Sequence, residues 1–258
     1  MNSGMYSAVS GNLAAMKRLD IIASNLANAA TTGFKQDRLA FESVLAGNRN
    51  PPAVPPGQTA DPVLLQERLL TDYAPGALVQ TGNTLDLALQ GDGFFAVRTT
   101  EGVAFTRQGS FRLTSDGTLV TVEGHPVLSR AGERPEEGQP IRIDLAAQAG
   151  GGKPVVDSQG NITLNGEPVA SLALYDFAKP YQLRKMAGTL FMPEGGAAPQ
   201  PAGPLTSVYQ GALEQSNVNT IAEMVQMVQT SRFFESCQKV VRSYDDMAAK
   251  VINDLARV

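Results

Sequence analysis

The 258-residue chain has few of the side chains that carry most protein chemistry. It contains one cysteine, one histidine and no tryptophan. A single cysteine cannot form an internal disulfide, so the fold is expected to hold without covalent crosslinks. The one histidine, His125, lies in a Gly-His-Pro turn without a neighbouring cluster of metal ligands or catalytic partners. We therefore expect no enzymatic activity, no metal and no cofactor.

A concentration of one charge and a long apolar run are also missing. The formal net charge is −4, and the lysines and arginines are scattered along the chain, which excludes the basic footprint of a nucleic-acid or anionic-membrane binder. Nowhere do eighteen apolar residues follow one another, and the first sixteen residues contain no Lys or Arg. These features predict neither membrane insertion nor a cleaved signal peptide.

Both ends of the chain carry helical heptad patterns. The N-terminal seam consists of Met5, Val9, Asn12, Met16, Leu19, Ala23, Leu26 and Ala30. The C-terminal seam consists of Phe233, Cys237, Val240, Tyr244, Met247, Val251 and Leu255, and Ile221, Val225 and Val228 precede it. Thr220 and Glu223 match a capping box, from which a helix of roughly 55 Å could run to the end. We predict two long terminal helices that pair as a coiled coil.

The stretch between the helices indicates β structure. Short apolar runs alternate with turn residues, and Asp116-Gly117 and Asn165-Gly166 each lie between apolar residues in the manner of a tight hairpin. Residues 47–62 and 193–204 are rich in Pro and Gly and indicate linkers. The resulting prediction is an α+β fold with an N-terminal helix (1–33), an extended connector (34–80), an all-β middle domain (81–192), a linker (193–210) and a C-terminal helix (211–258).

The N-terminal helix needs more than one neighbour. Burial of a large seam side chain contributes about 1.5 to 3 kcal/mol, whereas fixing the backbone costs about 1 to 2 kcal/mol for each residue. A single stripe diluted by Ala23, Ala30 and Asn12 does not meet that cost. We expect the ends to stay largely disordered until other subunits complete them, although simple packing on the β domain is an alternative.

Several segments resemble the flagellar rod and hook proteins of bacteria. Residues 21–35, IIASNLANAATTGFK, resemble the signature near the N-terminus of that family. The resemblance continues with LDLALQGDGFFAV at 85–97 and FTRQGSF at 105–111, and closes with GALEQSNVNTIAEMVQMVQTSRFFESCQKV at 211–240. Within the family, residues 171–191 look most similar to the proximal rod type, and the distal rod type is the second choice.

The resemblance implies a structural subunit that joins a helical rod through its terminal helices and transmits torque from rotor to hook. It implies copies of itself and other rod proteins as partners, and export by the flagellar type III apparatus to the basal body. We assign the assembly interface to the seam residues above, with Asn25, Asn28, Gly33 and Phe34 at the bend after the first helix. The alternatives are a distal rod or hook-type axial protein, or a non-flagellar binding module on a coiled-coil stalk.

Overall fold

A computed structural model of the chain describes residues 2–44, 64–132, 134–143, 153–186 and 188–255. The chain divides into two compact units. The helical unit comprises Met1–Ala27, Gln36–Asp72 and Val218–Val258, and the β unit comprises Asn28–Lys35 and Tyr73–Asn217. Two helices and a mostly β middle confirm the predicted α+β class.

The helical unit contains helix α1 (Asn2–Ala27), the antiparallel strands β1 (Asp37–Val44) and β2 (Leu64–Thr71), and helix α2 (Thr220–Leu255). The predicted start of α2 is confirmed, but the predicted capping box is wrong. Asn219 caps the helix, because its side-chain oxygen accepts a hydrogen bond from the Ala222 amide at 3.1 Å. The Glu223 carboxylate instead accepts hydrogen bonds from Asn25 and Gln36.

The β unit contains fifteen short strands within the described residues. They are β3 (Leu78–Gln80), β4 (Leu87–Gln90), β5 (Phe94–Thr99), β6 (Gly102–Thr106), β7 (Phe111–Leu113), β8 (Leu119–Thr121), β9 (Pro154–Val156), β10 (Asn161–Leu164), β11 (Glu167–Ser171), β12 (Leu174–Asp176), β13 (Leu183–Lys185), β14 (Leu190–Pro193), β15 (Gln200–Pro201), β16 (Ser207–Gln210) and β17 (Ala212–Glu214). A six-stranded antiparallel sheet has the order β13-β14-β6-β5-β12-β15, and β11-β10-β9 form a second sheet. The pairs β16-β4, β17-β3 and β7-β8 complete the unit.

Strand β5 lies between two apolar clusters of the β unit. Phe95 and Val97 belong to an aliphatic cluster, whereas Phe94 and Ala96 belong to an aromatic one. Successive side chains of a strand point to opposite faces, so one buried strand supplies both clusters. The run FFAV is therefore apolar at every position and does not alternate between apolar and polar residues.

Both predicted hairpins are confirmed. Strands β7 and β8 pair around Gly117, which has φ +76°, and β10 and β11 pair around Asn165-Gly166. Asn165 and Gly166 have φ values of +54° and +88°. Two consecutive positive φ values are the requirement of a two-residue type I′ turn.

Regular structure also occurs where the sequence indicated connectors. The described parts of the connector 34–80 hold β1, β2 and β3, and the linker 193–210 holds β15 and β16. Residues 212–214, expected to be helical, form β17. These strands pair with distant partners, as β16 does with β4 and β17 with β3. The proposed linker residues 47–62 lie outside the described residues.

The loop after α1 fits tightly into the β unit. Gly33 has φ +69°, and its amide donates to the Glu214 carbonyl at 2.8 Å. A Cβ atom at Gly33 would lie 2.3 Å from the backbone nitrogen of Gln108. Phe34 is buried, and the Lys185 Nζ lies 3.6 Å from its ring centroid. Only glycine satisfies both the backbone conformation and the close approach here.

A buried ionic cluster joins the same loop to β17. The Lys35 Nζ lies 2.6 Å from Oε1 of Glu214, and Nη1 of Arg107 lies 3.3 Å from Oε2. The Gly76 amide also donates to Oε1 at 2.9 Å. All three charged side chains are almost fully buried. Two cations therefore share one carboxylate that binds several distant parts of the β unit.

Replacing Gly33 by alanine tests the close approach. We expect Gly33→Ala to lower the free energy of unfolding by about 2 to 4 kcal/mol, because a positive φ and a backbone clash act together. Gly82→Ala is the matched control, since Gly82 has φ +74° and nothing within 4 Å of its added Cβ. That variant should lose only about 1 kcal/mol. Equal losses in urea denaturation would contradict the packing argument.

The ionic cluster is tested by removing the negative charge of Glu214. Glu214→Gln removes the carboxylate that both Lys35 and Arg107 contact, and we expect a loss of about 3 to 5 kcal/mol in unfolding free energy. Lys35→Met leaves a balanced Arg107–Glu214 pair and should cost less. The exposed Lys179–Asp92 pair, at 2.7 Å, provides the control. Asp92→Asn should cost under about 1 kcal/mol, and a comparable loss in Glu214→Gln would refute the role of the cluster.

Candidate assembly surface

Helices α1 and α2 pack against each other in antiparallel directions. Near one end, the Asn25 Nδ2 donates to the Glu223 carboxylate at 3.2 Å. Farther along, Gly11 lies opposite Phe233 and Cys237, and a Cβ atom added there would be 3.3 Å from the Cys237 sulfur. The C-terminal end of α1 therefore lies beside the start of α2, and the N-terminal half of α1 lies beside residues farther along α2.

Small residues of α1 line the contact with α2. Gly11 is half-buried and Ala15 and Ile22 are buried, which places them on the packed side of α1. The corresponding side of α2 consists of Glu223, Met227, Thr230, Phe234 and Cys237, all buried or half-buried. Because the distance between two helix axes depends on the side chains at the contact, small residues let the helices approach closely.

The predicted N-terminal seam divides between two environments. Asn12, Leu19 and Leu26 are half-buried beside the packed side, whereas Met5, Val9, Met16, Ala23 and Ala30 are exposed. The Oδ1 atom of Asn12 is buried and has no hydrogen-bond partner among the described residues. The predicted N-terminal seam thus combines residues of two faces of α1, one next to the contact with α2 and a second apolar face that is exposed.

That second face forms an exposed row, here named the α1 stripe: Met5, Val9, Leu13 and Met16. Their exposed fractions lie between 42% and 55%. The stripe lies roughly 135° around α1 from the packed side, at about 100° for each residue. Residues 2–16 contain no Asp, Glu, Lys or Arg. An uncharged, half-exposed apolar row of this kind is typical of a protein–protein contact.

Helix α2 carries a corresponding row, here named the α2 stripe: Ile221, Val225 and Val228. Ile221 is 73% exposed, and the two valines are about half exposed. Residues 224–231 contain no charged side chain.

Leu13 of the α1 stripe was missed in the sequence, because it falls outside the strict heptad spacing that defined the seam.

The other predicted residues of α2 fall into three groups. Phe233, Val240 and Met247 are exposed, and Cys237 and Tyr244 are half-buried. Val251 and Leu255 lie within α2, but their side chains are outside the described part of the chain. The sequence pattern therefore identified apolar surface on α2 without separating its sides.

A buried polar cluster joins both helices to the β1–β2 hairpin. The Asn25 side chain accepts from the Asp37 amide at 3.0 Å and donates to the Asp37 carbonyl at 2.8 Å. It thus pairs with the backbone as a neighbouring strand would. Gln36 Nε2 donates to Glu223 at 2.7 Å, and Thr71 donates to Asp37 at 2.7 Å. A cleft of about 370 Å³ borders this cluster.

The remaining predicted site residues lie in the turn and loop after α1. Asn28 is half-buried, and its side-chain oxygen accepts a hydrogen bond from the Thr31 hydroxyl at 3.2 Å. Gly33 and Phe34 are buried in the β unit. The structure places these two residues in that interior, so they orient the loop and offer no open surface there.

The carboxylates of Asp37 and Glu223 in the polar cluster both accept hydrogen bonds from neighbouring side chains. Among the described residues there is no group of three or more His, Cys, Asp or Glu that could hold a metal ion. None of the described helices has the length and hydropathy needed to cross a membrane.

Three family models match separate parts of the chain in order. A model described as "Flagella basal body rod protein" matches residues 5–35. The "Flagellar hook protein FlgE/F/G D1 domain" matches residues 88–164. The "Flagellar basal body rod FlgEFG protein C-terminal" matches residues 209–255. The first match covers most of α1, and the last covers all of α2.

Full-length relatives agree with these matches. The chain is 36% identical to the flagellar basal-body rod protein FlgF of Rhizobium meliloti, over 99% of this chain and 98% of the relative. It is 31% identical to FlgF of Mesorhizobium japonicum over the same shares. It is also 31% identical to the basal-body rod protein FlgG of Bacillus subtilis, over 98% of this chain and 99% of the relative. The chain therefore belongs to the flagellar basal-body rod family that includes FlgF and FlgG.

Proposed function

We propose that this chain is a structural subunit of the flagellar basal-body rod and that it assembles helically through α1 and α2. The observation that carries this proposal is the pair of uncharged apolar stripes, which remain exposed although the helices already contact each other. Membership of the rod family supports it. In this role the subunit transmits torque from rotor to hook, and catalysis has no part.

The energetics favour contacts that act in groups. Complete burial of an exposed apolar side chain contributes about 1.5 to 3 kcal/mol, so the half-exposed members of a stripe gain roughly 1 kcal/mol each. Association itself costs about 4 to 15 kcal/mol. One stripe does not meet that cost, whereas several stripes buried together do. A rod built this way resists twisting because torsion must shear many contacts at once.

Membership of the rod family supports the following arrangement within the rod. The helices, carrying the apolar stripes, form the inner core and pair as a coiled coil, and the β unit forms the outer domain. Partners are other proximal and distal rod proteins and copies of this chain. The flagellar type III apparatus exports the subunit to the basal body.

The proximal rod type is the favoured position in the rod. The 36% identity to an FlgF protein over nearly the whole chain supports it, and the FlgG relatives keep the distal type as the second candidate. A binding module on a stalk is not favoured, because the relatives match across helices and β unit alike.

Placing a charge on the α1 stripe tests the assembly role. In cells that lack their own copy, Val9→Asp should reduce the amount of this chain in isolated basal bodies at least about tenfold, because a buried unpaired carboxylate costs more than 1.4 kcal/mol. Thermal unfolding of the purified variant should change little, since Val9 is already 46% exposed. Quantitative immunoblots of basal bodies give the readout.

The neighbouring Ser10→Asp is the control for this test. Ser10 is exposed and lies outside the α1 stripe. Ser10→Asp therefore adds the same charge to another side of the helix. Ser10→Asp should enter the basal body like the wild type. Normal incorporation of Val9→Asp would argue against the assembly surface.

A further inference from the structure

The β1–β2 hairpin has little support of its own. Among the strands that the structure describes, β1 and β2 pair only with each other, and Leu69 and Leu70 of β2 are exposed. An isolated two-stranded ribbon is at best marginally stable in water, because it buries too little apolar surface. The hairpin therefore depends on contacts with other parts of the helical unit.

One such contact is the side-chain amide of Asn25, near the end of α1. Its oxygen accepts from the Asp37 amide at 3.0 Å, and its Nδ2 donates to the Asp37 carbonyl at 2.8 Å. Asp37 begins β1 and lies opposite Thr71, the last residue of β2. Both backbone groups of Asp37 are used by Asn25, which therefore pairs with the edge of β1 that faces away from β2.

The same amide also binds α2. The Asn25 Nδ2 donates to one carboxylate oxygen of Glu223 at 3.2 Å, and both residues are almost fully buried. Hydrogen bonds are stronger in a site that is shielded from water. If α2 moved away, water would reach the Asn25 amide and compete for its bonds to the Asp37 backbone. Docking of the hairpin on α1 is therefore favoured when α2 is already in place.

The dependence also runs in the other direction. Pairing of the helices buries the Glu223 carboxylate, and a buried charge without hydrogen-bond partners is costly. One of its two donors is the side chain of Gln36, at 2.7 Å, and Gln36 directly precedes β1. The docked hairpin thus places a donor that the paired helices need.

We propose that Asn25 is a positioning residue that couples the hairpin to the helix pair, so that β1 and β2 take their place only when α1 and α2 pack against each other. This inference rests on the rod role proposed above and specifies how the helical unit becomes ready for assembly. A subunit whose helices have not paired presents no fixed hairpin to its neighbours.

Hydrogen exchange of single amides, followed by NMR in the purified full-length chain, tests the coupling. Ala15→Asp places a charge in the contact between α1 and α2, where Ala15 is buried. The Asp72 amide, which bonds across the base of the hairpin, should exchange at least about tenfold faster in this variant, in step with the Ile22 amide of α1. The Ala96 amide of the β unit should change less than about twofold, because the substitution leaves that unit intact.

The control for this measurement is a charge elsewhere on α1. Ser10→Asp adds it at an exposed position and should leave all three amides unchanged. The coupling is wrong if the Asp72 amide stays protected while the Ile22 amide exchanges freely, in the wild type or in Ala15→Asp. In a chain where both amides exchange freely, the hairpin and the helices are unformed together, as the coupling requires.

Exchanging the amide and the acid of the Asn25–Glu223 contact tests the residue itself. In cells that lack their own copy, Asn25→Asp should lower the amount of this chain in basal bodies at least about tenfold, because two carboxylates then face each other in a buried site. Adding Glu223→Gln should raise that amount at least about threefold, because the amide of the second substitution can donate to the carboxylate of the first. A change that merely destabilised α1 would not be repaired by a substitution on α2.

Asn219→Asp is the matched control, since it makes the same amide-to-acid change at a residue that borders the same cleft. A carboxylate oxygen caps a helix as well as an amide oxygen does, so this variant should enter basal bodies like the wild type. If Asn25→Asp does the same, or if Glu223→Gln brings no recovery, the coupling through Asn25 is wrong and the rod role stands. Absence of the wild-type chain from basal bodies would refute the rod role instead.

Discussion

The close antiparallel contact of α1 and α2 determines what the helical unit exposes. Gly11 and Ala15 lie on the packed side, where a longer side chain at Gly11 would meet Cys237 and Phe233. Because small residues fill the contact, the larger apolar residues of α1 remain on another side. The apolar surface available for assembly is thus a consequence of how the helices pack. If Met5 and Val9 formed the contact with α2, they would be buried there and α1 would expose little apolar surface to another subunit.

The β unit depends on a different constraint, a carboxylate surrounded by distant parts of the chain. Glu214 ends β17 shortly before α2, and Lys35 ends the loop that follows α1. Their ion pair, together with Arg107, forms inside the β unit and requires its strands to be in place. Buried charges of this kind are costly when unpaired, so they disfavour alternative arrangements of the loop and the strand.

Local signals in the sequence predicted local structure well. The end of α1, the start of α2 and both hairpins are confirmed, because each depends on neighbouring residues with a strong preference, such as Asn165-Gly166 in its two-residue turn. Strands β1 to β3 and β15 to β17 were missed. Each has a partner far away in sequence or is too short to show a period of two, as with the two residues of β15.

The N-terminal seam shows what a heptad pattern cannot predict. A heptad pattern identifies apolar positions but does not say which neighbour covers them, and Asn12, Leu19 and Leu26 fit one face while Met5, Val9 and Met16 fit another. The capping box failed for a similar reason. Glu223 satisfies the local motif, yet its carboxylate accepts hydrogen bonds from the buried Asn25 amide and the half-buried Gln36 amide. Tertiary contacts of this kind outweigh a local preference.

The modest size of each stripe suits a protein that must travel singly and then polymerise. A larger apolar surface would make free chains associate before they reach the growing structure, whereas three or four half-exposed residues give a weak contact on their own. Once several subunits surround a site, the contacts act at a high effective concentration and their free energies combine. The same weakness that keeps a single contact reversible therefore lets the completed rod be stable, provided that each subunit meets neighbours on more than one side.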